Sequence, residues 1–406
     1  MNERVPEGWS SMRLGEVTTQ TRGLTYKSED YGDGLDGHPF LTLKSISKSG
    51  GYSSRGLKFY KGNFKPHHLI ENGDILFANT DLTRAGDVVG SPLYFDKFEF
   101  KTKPLYSMDL SKLVVDSSKS DGKFLYYLLM VPRIKRFMIN VSAGSTVLHL
   151  DTKSVKNLSI LLPPLPEQKK IASILSSVDE VIEKTQLQIN KLQDLKKGTM
   201  NELLTKGIGH TEFKDSELGR IPKSWEVVPL SKIIINFDSD RIPVKSTDRQ
   251  GMQGKYRYYG ASGIIDYVDN YLFDGSFILL GEDGENVLSR NLPLAFIVNG
   301  KFWVNNHAHI LQPVSGVDIK FLCEFLESID YKNIASGSAQ PKITKSSLNE
   351  IRVALPSNQE QKRISVILYS IDEQINFKNK KLHQIQSLKK SLMQDLLTGK
   401  VRVTVN

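Results

Sequence analysis

One long segment occurs twice in this chain. PEQKKIASILSSVDEVIEKTQLQINKLQDLKKGTMNELLT, from Pro166 to Thr205, returns as NQEQKRISVILYSIDEQINFKNKKLHQIQSLKKSLMQDLLT, from Asn358 to Thr398. At an offset of 193 residues, Glu167, Gln168, Ile171, Leu175, Asp179, Lys196 and Met200 meet identical residues at Glu360, Gln361, Ile364, Leu368, Asp372, Lys389 and Met393. The match extends upstream, where SAGSTVLHLDTKSVKNLSILLPP (Ser142 to Pro164) answers ASGSAQPKITKSSLNEIRVALPS (Ala335 to Ser357). Each half also opens alike, since Pro6, Trp9 and Leu14 recur as Pro222, Trp225 and Leu230 at an offset of 216. The second variable region is therefore shorter by 23 residues. A repeat of this kind fixes the architecture before any single motif is considered.

The repeated segment reads as a helix. Leu175, Val178, Ile182, Ile189 and Leu192 step by threes and fours, with Thr185 in the one polar slot. The second copy places Leu368, Ile371, Ile375, Lys378, Leu382 and Ile385 on the same rungs. This is the a/d stripe of a coiled-coil seam. The steps from Leu192 to Leu195 and from Ile385 to Leu388 add an extra three, which predicts a local overwinding. Pro163, Pro164 and Pro166 stop what precedes the first helix, and Gly207 and Gly399 are C-terminal caps. Each helix of about 40 residues spans roughly 60 Å. Neither can bury its stripe alone, so intramolecular antiparallel pairing is the expected arrangement; packing on its own domain, or a homodimer, is the alternative. Lys184, Lys191, Lys196 and Lys197 are expected on outward faces, either solvated or available for docking.

The expected fold class is mixed α+β: two α/β domains separated by two long antiparallel coiled-coil helices, a pseudo-two-fold tandem repeat. The expected segments are a first domain over 1–162, a helix over 163–207, a second domain over 208–355 and a second helix over 356–400. Within the domains, GDILFAN and SFILLGE read as short strands, and KFLYYLLMVPRIKRFM and IKFLCEFLESI as helices. The chain of 406 residues is too long for one ordinary core. No stretch reaches the ~18 uncharged apolar residues of a membrane helix, and MNERVPEGWS lacks a signal core. The lone Cys323 excludes an internal disulfide and fits a reducing cytoplasm. A net charge of +9, spread over folded segments, favours a polyanionic partner.

Motifs of chemistry are missing. There is no GxxxxGK[ST] phosphate loop and no Asn-Pro-Pro-aromatic tetrapeptide. GEDGEN (Gly281 to Asn286) lacks GxGxxG spacing and reads as a turn. His307 and His309 alternate on an expected strand, but a metal would need further ligands not visible nearby. Asp238 and Asp240 form no nuclease pattern. A duplicated enzyme would be expected to repeat its catalytic residues; here a constant frame holds two different inserts, as two readers of two different things would.

The residues of that frame resemble a known family. LPPLPEQKKIASILSSVDE, NQEQKRISVILYSIDE, the linker TKGIGHTEFKDSELGRIPKSWEVVPLSKI and the insert phrase YYGASGIIDYVDNYLFDGSFILLGEDG, taken in this order, are similar to the specificity subunit of type I restriction-modification systems, over essentially the whole chain. The resemblance implies two target recognition domains, each reading one half of an asymmetric, gapped site in double-stranded DNA. It implies two methyltransferase subunits docked on the helices and two restriction subunits. S-adenosylmethionine, ATP and Mg belong to those partners; this chain is expected to be non-catalytic and to hold no cofactor or metal of its own.

DNA binding needs phosphate contacts for affinity and base contacts for specificity. In the first insert, Lys44, Thr80, Asp81, Thr83 and Arg84 are candidates in or near loops at strand ends. Arg84 is the preferred base reader, because guanidinium grips guanine O6 and N7 bidentately. In the second, KYRYYGASG groups Lys255, Tyr256, Arg257, Tyr258, Tyr259 and Ser262. The loops GSTVLH (with Ser145 and Thr146) and GSAQPK (with Gln340 and Lys342) occupy equivalent places before each helix, and Gln340 suits adenine. Rival readings are a stand-alone DNA-binding regulator, a protein-interaction adaptor and a single-chain restriction enzyme.

Overall fold

The computed structural model describes residues 5–32, 36–96, 100–337 and 340–405. Its packing divides the chain into two compact units. The first holds residues 1–186 with 381–406, and the second holds residues 187–380. Two long spacer helices, Leu165–Lys206 and Asn358–Leu396, each contribute to both units.

In the first unit, Thr18–Arg22, Leu110–Val115, Ile75–Ala78 and Pro92–Tyr94 form a four-stranded antiparallel sheet in that order. The ILFA strand has every side chain buried, as a strand covered on both faces requires. A three-stranded sheet of Leu57–Tyr60, His38–Leu41 and Leu105–Tyr106 closes around Phe40, Tyr60 and Leu105. The single helix expected over Lys123 to Met138 is two, Gly122–Leu129 and Pro132–Asn140. Pro132 cannot donate to a continuing helix and holds Val131 extended.

The second unit is built on a six-stranded sheet in the order Ile234–Asn236, Ala308–Pro313, Phe273–Gly281, Ala295–Val304, Gln253–Gly260 and Gly263–Val268. Its one parallel pairing joins Gln253–Gly260 to Ala295–Val304. Helix Ile319–Ser328 buries Phe321, Leu322, Cys323 and Leu326.

The repeated residues make the same joints in both units. Strand Ser10–Arg13 pairs with Ser159–Leu162, and Glu226–Pro229 pairs with Arg352–Leu355 in the matching register. Buried Gln168 accepts from the Asp121 amide and donates to the Pro163 carbonyl (2.9 and 2.8 Å). Gln361 repeats this with the Asp318 amide and the Pro356 carbonyl (2.8 and 2.9 Å). Asp121 and Asp318 in turn cap the helices that follow them. Glu360 accepts from Trp225 Nε1, the Ile208 amide and His210 (3.0, 2.9 and 2.8 Å). Its counterpart Glu167 is held bidentately by Arg402 at 2.7 Å on both oxygens, with the guanidinium 6.0 Å from the Trp9 ring. Both cap glycines are left-handed, and a Cβ on Gly207 would meet Glu360 at 2.5 Å.

The spacer helices run antiparallel within each unit. In the second, Gln188 meets Lys378, Lys196 meets Asp372, and Leu204 packs with Ile364 and Leu368. In the first, Lys389 meets Asp179, while Ile171 and Leu175 pack with Leu396. Two expectations are corrected here. Lys196 is not outward: it bonds Asp372 at 2.8 Å and Glu324 at 3.1 Å. Nor does the stripe shift phase to Leu195 and Leu388, which stand 54% and 53% exposed. The inward position one turn after Leu192 is Lys196, and after Ile385 it is Lys389; a half-buried lysine in the seam left the neighbouring leucine as a false continuation of the stripe.

Candidate nucleic-acid interface

In each unit, the chain leaving a central strand meets the loop that precedes a spacer helix. In the first unit, Thr80–Asp81 pairs with Leu148–Leu150, the second arm of a hairpin whose first arm is Ser142–Ala143. The hairpin turn carries Ser145 and Thr146, both exposed. Gly144 there has φ +133°, and a Cβ would lie 2.0 Å from the Val147 carbonyl. Arg84 Nε donates to the Ser145 carbonyl at 3.2 Å. Two segments singled out separately in the sequence thus form one surface.

The segment bearing Arg84 is anchored from beneath. Buried Asp81 accepts from Thr83 N (2.8 Å), Thr83 Oγ1 (2.7 Å), Val89 N (2.9 Å) and Val88 N. Burial alone would raise the Asp81 carboxyl, but these donors outweigh it and hold it below the usual range. Lys135 Nζ donates to the carbonyls of Asp87 and Val89 and to Ser91 Oγ (3.1, 2.7 and 2.9 Å). Its burial pushes it down to about 8. Thr80 and Thr83 are consequently internal: Thr80 is buried on Asp109 at 3.2 Å, and Thr83 serves Asp81. Lys44 is exposed on the turn Leu43–Ser45, and Lys48 just beyond pairs with Asp87 at 2.6 Å.

Arg22 and Lys156, neither singled out in the sequence, and His149, the last residue of the GSTVLH loop, line a hollow of ≈350 Å³ together with Gln20, Asn79 and Thr80. They come from three distant segments, so no local pattern could have joined them.

In the second unit, the chain after Phe273–Gly281 meets the 336–343 loop. Gly284 N donates to the Pro341 carbonyl and Ile343 N to the Glu282 carbonyl (3.1 and 2.7 Å). Lys342 reaches Glu282 at 3.0 Å, and Arg241 holds the other Glu282 oxygen at 2.6 Å. Although burial raises Glu282, these two cations keep its carboxyl below the usual range. Buried His309 engages Asp238 through Nδ1 and the Ile343 carbonyl through Nε2 (2.6 and 2.8 Å). Both its nitrogens are occupied by this anchor. His307 faces Asp283 at 2.9 Å. Gln340 is exposed, while Ser338 and Ala339 of the same loop lie outside the described residues.

The tyrosine-rich stretch is corrected in part. Tyr258 is fully buried and receives a hydrogen bond from Val244 N at 3.0 Å; Tyr259 is buried among Phe273, Phe277 and Phe302. The strand is covered on both faces, so neither ring is presented at the surface. Arg257 is half-buried, donates to the Asn299 carbonyl at 2.6 Å and lies 5.7 Å from the Tyr259 ring. Lys255 is exposed, as is Ser262 in the turn before Gly263–Val268. Lys301 and Tyr271, unremarked in the sequence, join this face: Lys301 Nζ stands 4.4 Å from the Tyr271 centroid, and Tyr271 packs on Tyr256 at 5.1 Å.

Comparison with known proteins places this architecture. The type I restriction modification DNA specificity domain matches twice, over residues 6–193 and 222–387. The chain is 31% identical to the type I restriction enzyme MjaVIII specificity subunit of Methanocaldococcus jannaschii, covering 98% of this chain and 94% of that one. It is 32% identical to the putative MjaX specificity subunit of the same organism, over 98% and 95%. Among solved structures, the type I restriction-modification S subunit of M. genitalium superposes with a TM-score of 0.64 at 17% identity, over 98% and 97% of the two chains. The tandem frame, the paired loops and these matches agree, and the chain belongs to the family of type I restriction-modification DNA specificity subunits.

Proposed function

We propose that each unit reads one half of a gapped, bipartite site in double-stranded DNA, and that the spacer helices dock methyltransferase subunits. The observation that carries this reading is the repeated pairing of two loops on a constant frame, with different side chains on each pair. Arg84, Ser145 and Thr146 face the partner in the first unit. Lys255, Arg257, Ser262, Gln340 and Lys342, joined by Lys301, do so in the second. Exposed arginine and lysine supply phosphate affinity and bidentate base contacts.

Exposed Val366, Tyr369 and Phe377 on the second spacer helix suit an apolar protein partner. Two methyltransferase subunits would bring S-adenosylmethionine and the adenine chemistry, and two restriction subunits the ATP- and Mg-dependent steps. No helix among the described residues is long and apolar enough to cross a membrane; the proposed setting is the cytoplasm, where the DNA is.

The test is co-expression with its methyltransferase subunit, followed by genome-wide mapping of methylated adenines by single-molecule sequencing. A two-part motif with a fixed gap is expected. A continuous motif, or a stable complex that methylates nothing, overturns the reading in favour of a lone DNA-binding protein or an adaptor.

A further inference from the structure

We infer that Leu82 is a base-reading residue of the first unit, packing its side chain on the C5 methyl of a thymine beside the base met by Arg84. The inference rests on the proposed DNA reading and deepens it.

Leu82 is 67% exposed, and no other large apolar side chain among the first unit's described residues stands so far out. Its position is not that of a loose loop. Asp81 before it is fully buried, with four donors on its carboxylate, and Thr83 after it closes on the same carboxylate. Lys135 fixes the returning loop through Asp87, Val89 and Ser91. The backbone beneath Leu82 is thus ordered before any partner arrives, and binding there loses little further entropy.

An apolar tip on a fixed base, two residues from an exposed arginine, is matched to a surface with an apolar feature beside a hydrogen-bonding one. The DNA major groove has one apolar feature, the thymine methyl, set among the acceptors and donors of the base edges. Asp81 and Lys135 act as positioning residues; Leu82 and Arg84 make the contacts.

Uracil lacks only that methyl, which gives a direct probe. The complex with its methyltransferase is titrated with synthetic duplexes carrying the mapped site, each thymine replaced in turn by uracil. One replacement, in one half-site, is expected to weaken the wild-type complex about fourfold, the effect of one methyl group. Leu82→Ser should bind thymine and uracil duplexes equally at that position and keep its response at all others. The exposure of Leu82 leaves folding untouched by this change, and unaltered affinity for the other half-site confirms it. Equal uracil responses in wild type and variant at every position, or a site without thymine in either half, overturn the assignment while the gapped motif stands. Absence of any gapped motif instead rejects the underlying DNA reading.

Discussion

Replacing Lys196 by methionine should loosen the second unit far more than its place on a long polar helix suggests. Lys196 is 22% exposed and faces Glu324 (19%) and Asp372 (30%). Methionine keeps the stem but leaves two carboxylates facing each other without a cation. Breaking a fully buried pair costs about 3–5 kcal/mol. Solvent reaches this node, so the cost is discounted to about 2 kcal/mol, or roughly a 30-fold loss of protection. Hydrogen exchange read over the second spacer helix between Ile364 and Lys380 measures it. Amides of helix Gly122–Leu129 in the first unit serve as the internal reference.

The effect should depend on pH with a definite sign. Asp372 and Glu324 outweigh burial and hold Lys196 above the usual lysine value, so its stabilisation is complete below about 10.5 and lost only above that. Burial raises Glu324 above the usual 4.5. Between those two values of Glu324 the folded state binds more protons than the unfolded, so its contribution falls as pH rises through that window. Without Lys196 the window widens upward. The variant should therefore lose less at pH 5, closer to that raised window, than at pH 7.5. The matching Lys389→Met in the first unit should cost only about 1 kcal/mol, because Asp179 keeps the Tyr127 hydroxyl at 2.7 Å. Less than about threefold change for Lys196→Met, or equal loss at the two pH values, refutes the reasoning.

Asp81→Asn should expose the Val88 and Val89 amides to exchange by tenfold or more, since hydrogen bonds to a charged acceptor contribute about 1.5–3 kcal/mol. Wild-type Asp81, held below 3.8, keeps this anchor from neutral pH down to that value and loses it as pH falls through its lowered folded value; unchanged exchange in the variant rejects the anchor. Truncation after Gly399 removes Arg402 and leaves buried Glu167 without its guanidinium, so limited proteolysis should cut the segment from Val5 to Arg13 faster, and an unchanged rate argues against the clamp. Inserting four residues near Thr205 lengthens the first spacer helix by ~6 Å and, if the helix sets the separation of the half-sites, should widen the DNA gap by about one or two base pairs, whereas an unchanged gap in the mapped motif rejects that role for the helix.

What was legible in the sequence is what repeats. Period and duplication together exposed the two helices, their caps and the frame, because each depends on local spacing. The errors have a common cause, which is burial supplied by distant chain. Lys196 reads as a surface residue until Glu324 and Asp372 come round it. KYRYYG reads as a basic, aromatic loop because its alternation puts Tyr258 and Tyr259 on opposite faces, and both faces turn out to be covered. Thr80 and Thr83 read as free hydroxyls until Asp109 and Asp81 claim them. Lys301, Tyr271, Arg22 and Lys156 had no local signal at all, since only the fold brings them to their neighbours.

The division of labour between frame and inserts has a physical basis in these contacts. The polar groups that recur, Gln168 with Gln361, Glu167 with Glu360 and Lys389 with Lys196, are largely enclosed and bonded at the joints between domain and spacer helix. A substitution there strands a partner in a low-dielectric site and is expensive. Leu82 and Arg84 stand on backbone held by Asp81, and Thr146, Lys255 and Gln340 are exposed. They can be exchanged with little cost to folding, because surface substitutions away from buried networks change stability by only about ±0.5 kcal/mol. One scaffold can therefore carry two readers whose sequences have diverged, and each reader can change its target without disturbing the joints that hold it.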